Sequence, residues 1–155
     1  MKHLLNAVLA VCLGLALPGS PVMAAGTSDG SGTKAAPAAA VTYAEAKATV
    51  DAGNYAAALP MLVALTKADA KNADAWNLLG FTDRNLGKMD DSSKAYLVVL
   101  KLNPNHLGAL EYQGELFIQT GHLDKAKANL AKLQGLCGNC EQYGDLSKAL
   151  MAAGA

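Results

Sequence analysis

The chain has 155 residues, 13 basic and 13 acidic side chains and therefore no formal net charge, which gives room for one domain and excludes the basic footprint a nucleic-acid binder needs. Hydrophobic residues make up 52% of it but aromatic ones only 5%. The apolar content is carried by Ala and Leu, which lose little side-chain freedom in a helix.

Lys2 and His3 precede an apolar run from Leu4 to Leu17 that only Asn6 interrupts; Pro18-Gly19-Ser20-Pro21 and the small-residue stretch Val22-Met23-Ala24 follow. This layout over residues 1–24 is that of a secretory signal peptide. The run is shorter than the roughly 20 residues of a spanning helix. The expectation is an exported chain, periplasmic or secreted, with no stable membrane insertion after cleavage. Leu9-Ala10-Val11-Cys12 looks like a lipoprotein box, but the apolar run continues beyond it and Val11 is bulky for that site. Cleavage after Ala24 is favoured over a lipid anchor. Residues 25–40 hold Gly, Ser, Thr, Ala and Pro without a periodic apolar position, and read as a flexible tether.

The fold is expected to begin at Thr42-x-x-Glu45, a capping-box spacing, with helices near 43–52 and 55–68. Leu59, Leu62, Val63 and Leu65 give the second an apolar face, while Pro60 removes a hydrogen bond and predicts a kink costing up to about 3 kcal/mol. Asn72 can cap the third helix and Gly87 end it. Asp90 or Asp91 is expected to start the fourth, and Pro104 to stop it after Leu102. Gly80 would let these two helices approach, with Trp76, Leu79, Tyr96 and Val99 between them and Asp83 turned to solvent. Leu110, Gly114, Phe117, Ala126, Leu130 and Leu133 then fall 34 residues after Trp76, Gly80, Asp83, Ser92, Tyr96 and Val99. A last amphipathic stretch runs from Cys140 to Ala152, with Asn139-x-x-Gln142 as its capping box. Gly53, Gly87 and Gly121 repeat the same 34-residue spacing, each placed as a left-handed helix terminus.

Trp76-x2-Leu79-Gly80-x2-Asp83, Ser92-x3-Tyr96 and Pro104 resemble the tetratricopeptide pattern W-x2-L-G-x2-Y…A-x3-F…P, whose period is 34 residues. Asp83, Ser92 and Tyr96 depart from the usual residues. The resemblance covers residues 41–152, as repeats at about 39–72, 73–106 and 107–140 and a capping helix at 140–152 that covers the last apolar face. It implies an all-α, right-handed α-solenoid whose concave groove, lined by the first helix of each repeat, binds a peptide or protein partner. By register the groove residues would be Tyr43, Lys47 and Asp51, then Asn77, Phe81, Arg84 and Asn85, then Glu111, Glu115 and Gln119. One subclass grips a C-terminal carboxylate with Lys, Asn and Arg; Glu111 and Glu115 would repel that group and instead imply a partner segment with a basic portion near repeat three and an acidic or apolar portion near Arg84. Other readings compete. Phe81 could simply pack against repeat one or three, and Glu111 and Glu115, four apart on a helix, could be a solvated face.

No G-x-S-x-G, H-E-x-x-H or Gly-rich phosphate loop is present, so neither an enzyme nor a cofactor is expected. The remaining constellation is Cys137-Gly138-Asn139-Cys140, an even cysteine count once Cys12 is removed. It reads as a disulfide pinning the capping helix. The alternatives are a redox pair with Cys140 activated at a helix N-terminus, or half of a metal site that lacks two further ligands of firm position, His106 being the only histidine within reach. The ending Leu136-Cys137-x-x-Cys140-Glu141-x-Tyr143-x-x-Leu146 is similar to that of small exported bacterial proteins of this repeat type. Two functions follow: a non-enzymatic scaffold in the cell envelope, or a thiol–disulfide or metal-handling accessory protein.

Overall fold

A computed structural model describes residues 41–155; the signal peptide, Cys12 and tether expectations fall on residues 1–40, outside them. Seven helices make up the regular structure of the described residues: α1 (Tyr43–Asp51), α2 (Tyr55–Ala68), α3 (Ala73–Asn85), α4 (Met89–Leu102), α5 (Leu107–Gln119), α6 (Leu123–Cys137) and α7 (Glu141–Ala152). None of them is long and apolar enough to cross a membrane.

Local chemistry sets the helix ends. The Glu45 N–H donates to Thr42 Oγ1 (3.2 Å) and the Thr42 N–H to Glu45 Oε2 (2.8 Å), closing the capping box. Asn72 Oδ1 accepts from the Ala75 N–H at 2.9 Å. Gly53, Gly87 and Gly121 stand at φ 74°, 76° and 77°, the conformation that reverses the chain after α1, α3 and α5 and that side chains with a Cβ resist. Pro60 lies inside α2, which runs through it as expected; Pro60 and Ala56, whose carbonyl loses its donor, are both exposed. Two local expectations need correction. The fourth helix starts before Asp90, at Met89, with Lys88 at the cap. Cys140 takes the cap position of α7 without a side-chain bond, so the Asn139–Gln142 box does not form.

The core is a row of three clusters. Ala46, Val50, Ala58, Leu62 and Leu79 join α1, α2 and α3. Tyr96, Val99, Ala109 and Leu116 join α4 to α5. Leu110, Ala126, Leu133, Leu146 and Leu150 join α5, α6 and α7. Two glycines set the closest approaches. A Cβ at Gly80 would lie 2.7 Å from Tyr96 Cε1, and one at Gly114 would lie 2.5 Å from Leu146 Cδ2. Trp76, expected inside, is half-buried and donates its Nε1–H to the Ala70 carbonyl at 3.1 Å. Asp83 does not face solvent. It is 5% exposed, with Lys88 Nζ 4.0 Å away, and burial raises its carboxyl above the usual range.

First helices touch in series, α1 with α3, α3 with α5 and α5 with α7, whereas α2 with α4 and α4 with α6 do not come into such contact among the described residues. A stack held more closely along one row of helices curves toward that row. The face formed by α1, α3, α5 and α7 is therefore the inner one.

Candidate functional site

The middle of the inner face is built by α3 and α5. Phe81, half-buried, has its ring centroid 4.9 Å from that of Tyr112 and 6.0 Å from that of Tyr55, within the range of favourable aromatic pairs. Phe81 thus packs against repeats one and three and still keeps part of its surface open. The Arg84 guanidinium lies 5.5 Å from the same ring and forms an ion pair through Nη2 with Glu115 Oε2. Arg84 is 9% exposed, so its charge is committed to Glu115 rather than offered to solvent.

Glu111 and Glu115 are not a solvated face. Glu111 is 7% exposed, and burial, followed by the neighbouring Glu115, Asp145 and Glu141 carboxylates, pushes its carboxyl up to about 8 against the opposing pull of Arg84. At neutral pH it keeps its proton. The reason is topological: α7 packs on α5 and brings Asp145 and Glu141 to the side of α5 that helical spacing alone leaves open. The Tyr112 phenol is raised by burial and then by Glu111.

The other register positions lie around this centre. Lys47 is exposed and paired with Asp51 at 2.7 Å. Tyr43 is half-buried, its phenol raised by burial and then by Asp74. Asn77 is half-buried beside Gly108, where an added Cβ would meet its Nδ2 at 3.1 Å. Asn85 is exposed and donates to the Phe81 carbonyl at 2.8 Å, and Gln119 is exposed. The structure therefore gathers Phe81, Arg84, Glu111 and Glu115 and leaves Lys47, Asn85 and Gln119 at the margins. Sequence reasoning missed Tyr112 and Asp145. Tyr112 stands one repeat after Leu78, an apolar position that hides its exposure, and Asp145 lies on a helix read only as a cap.

Cys137 and Cys140 form a disulfide, Cα–Cα 5.6 Å, with Cys137 packed against the cluster around Leu133 and Leu146. His106 Nδ1 accepts from the Ala109 N–H at 3.1 Å, capping α5, and its Nε2 meets Asp74 Oδ1 at 3.0 Å. With Nδ1 accepting, Nε2 carries the hydrogen and donates to Asp74. Both ring nitrogens are occupied, so His106 is not available as a further ligand beside the cysteines. No group of three or more His, Cys, Asp or Glu able to hold a metal ion occurs among the described residues.

Two family models described as tetratricopeptide repeat match the chain, over residues 43–80 and 73–106. No curated protein matches it in sequence. Among solved structures it is similar to MamA MSR-1 (25% identity, TM-score 0.56), with 60% of this chain and 53% of that one covered. The chain thus spans about half the length of that protein. It is similar also to the type III secretion translocator chaperone SycD of Yersinia enterocolitica (22% identity, TM-score 0.65, 72% and 80% covered). A third similar structure is the first TPR of Spaghetti (RPAP3), with 18% identity, TM-score 0.64, and 72% and 90% covered. That structure is bound to the HSP90 peptide SRMEEVD, and another of SycD holds a peptide of the translocator YopD. With two consecutive repeat matches and an all-α solenoid of helix pairs, the chain belongs to the tetratricopeptide-repeat family.

Proposed function

We propose that this protein is a non-enzymatic interaction scaffold of the cell envelope that docks a basic segment of a partner on its inner face. The observation that carries this reading is Glu111, a buried carboxyl amid Glu115, Glu141 and Asp145 with Arg84 as the counter-charge. A lysine or arginine entering there would let Glu111 release its proton and would neutralise the surplus of acid. Phe81, Tyr112 and Tyr55 supply half-buried rings, a residue type that carries binding energy at interfaces. Peptides held by SycD and by the RPAP3 repeat support the choice of a peptide-binding face. The envelope location rests on the layout of the first 24 residues.

Selection of random displayed peptides on the purified protein tests the proposal. Recovered sequences should be enriched in Lys and Arg, and should lose binding to Phe81→Ala and Glu111→Ala variants whose circular dichroism is unchanged. The acidic SRMEEVD peptide should not bind. Recovery of acidic sequences, or of basic ones indifferent to both variants, would refute it.

The alternative, a thiol–disulfide or metal-handling role for Cys137 and Cys140, has one favourable observation: Cys140 caps a helix N-terminus, where a thiolate is stabilised. Thiol titration of the purified protein separates the two, since a scaffold requires no cycling of the pair.

A further inference from the structure

Because α2 and α4 do not come together, a cleft of about 490 Å³ remains between them, with α3 as its floor. Leu59, Val63, Ala95 and Val98 form its walls, and Trp76 and Leu79 its base. Asp83 stands at one end; Lys67, Lys88 and Lys94 stand on the rim with Asp91, which pairs with Lys94 at 3.0 Å. The cleft lies between second helices, away from the inner face.

The next repeat shows what this space normally holds. The position 34 residues after Asp83 is Phe117. Its ring lies 5.5 Å from Lys125 Nζ and 6.3 Å from the His122 ring, and the space beside it is only about 180 Å³. An acid in place of that ring leaves the repeat-two cleft open. Asp83 is also poorly matched. Its side chain is 7% exposed, and among the described residues no group donates a hydrogen bond to its carboxylate; Lys88 stays 4.0 Å away. Asp83 lines the open cleft, and its partial burial raises its pKa.

We infer that this cleft receives a tyrosine side chain from a partner polypeptide, its ring between α2 and α4 where Phe117 lies one repeat later and its hydroxyl donated to Asp83. Shape argues for a ring, and the apolar walls and base argue against a polar body. Lys67 and Lys88, the rim lysines not paired with Asp91, disfavour a cationic donor, which leaves a neutral one. This chain does not supply the residue. Residues 1–40 contain no aromatic side chain, and all eight aromatic residues beyond them are half or fully buried.

N-acetyl-tyrosinamide and N-acetyl-phenylalaninamide, titrated into the full-length protein and followed by amide and indole NMR shifts, test this. Trp76, the single tryptophan, reports directly from the base of the cleft. Shifts should concentrate at Trp76, Leu59 and Val63, and the tyrosine probe should bind about fivefold tighter, as one hydrogen bond provides. Asp83→Phe fills the cleft as in repeat three and should abolish binding of both probes while raising the melting temperature. Asp83→Ala should keep binding but erase the preference for tyrosine. Absence of cleft shifts in the wild type, undiminished binding by a folded Asp83→Phe protein, or a tyrosine preference surviving in Asp83→Ala would each overturn the inference.

Discussion

Glu111 keeps a proton because α7 packed on α5 buries it and Glu115, Asp145 and Glu141 surround it, and this gives the residue a measurable signature. Its folded value of about 8 lies above the ordinary 4.5, so the folded chain retains a proton that the unfolded chain gives up between those limits. The stability it contributes is complete below about pH 4.5 and is lost as pH rises to about 8. Glu111→Gln cannot ionise and should remove that loss. Melting temperatures of variant and wild type should diverge from pH 5 to pH 9, with the variant increasingly the more stable; a constant offset would mean that Glu111 does not hold the proton. Glycines offer a second contrast. Gly80→Ala would place its methyl 2.7 Å from Tyr96 Cε1, and overpacking of this kind costs about 1–3 kcal/mol, more than the roughly 1 kcal/mol that alanine gains in helix propensity. At Gly135, within α6, an added Cβ meets nothing within 4 Å. Gly135→Ala should therefore stabilise by up to about 1 kcal/mol, and urea unfolding of the two variants should shift in opposite directions.

At the scale of an element, α7 closes the stack. Leu146 and Leu150 complete the cluster of Leu110, Ala126 and Leu133, and Leu146 fits the notch left by Gly114. The Cys137–Cys140 bond fixes where α7 leaves α6. Closing so short a loop contributes about 2 kcal/mol in the chain-entropy view. Reduction should lower stability by about that amount and raise amide exchange first in residues 141–152; uniform acceleration across all seven helices would show that the bond does not act through α7. Helix punctuation was largely legible beforehand: Thr42, Asn72 and the positive-φ glycines 53, 87 and 121 act through neighbours a few residues away. The misses needed distant information. Asp83 and Glu111 look like surface acids by helical spacing, yet α4 covers one and α7 covers the other. Arg84 shares a face with Phe81 as spacing requires, but its pairing with Glu115 crosses 31 residues and withdraws it from direct use by a partner.

Across the whole molecule, the three clusters form a line rather than a centre. The first is shared by α1, α2 and α3, the last by α5, α6 and α7, and no helix touches one beyond its second neighbour along the chain among the described residues. Stability in such a stack approximates a sum of repeat terms and interface terms, so damage at one end should stay local. Leu62 and Leu146 are both fully buried, and truncating either to Ala should cost about 2–5 kcal/mol. The two losses should nevertheless appear in different places. Leu62→Ala should accelerate hydrogen exchange in α1 and α2 while α6 and α7 keep their protection, and Leu146→Ala should do the reverse. The inner face bridges the two ends through Phe81 against Tyr55 and Tyr112 and through Arg84 with Glu115, so α3 and α5 should respond weakly to both. Exchange measured on the two single variants decides the matter. If either substitution accelerates all seven helices equally, the chain unfolds as one unit, and its inner face is held by global cooperativity rather than by the stacking of adjacent repeats.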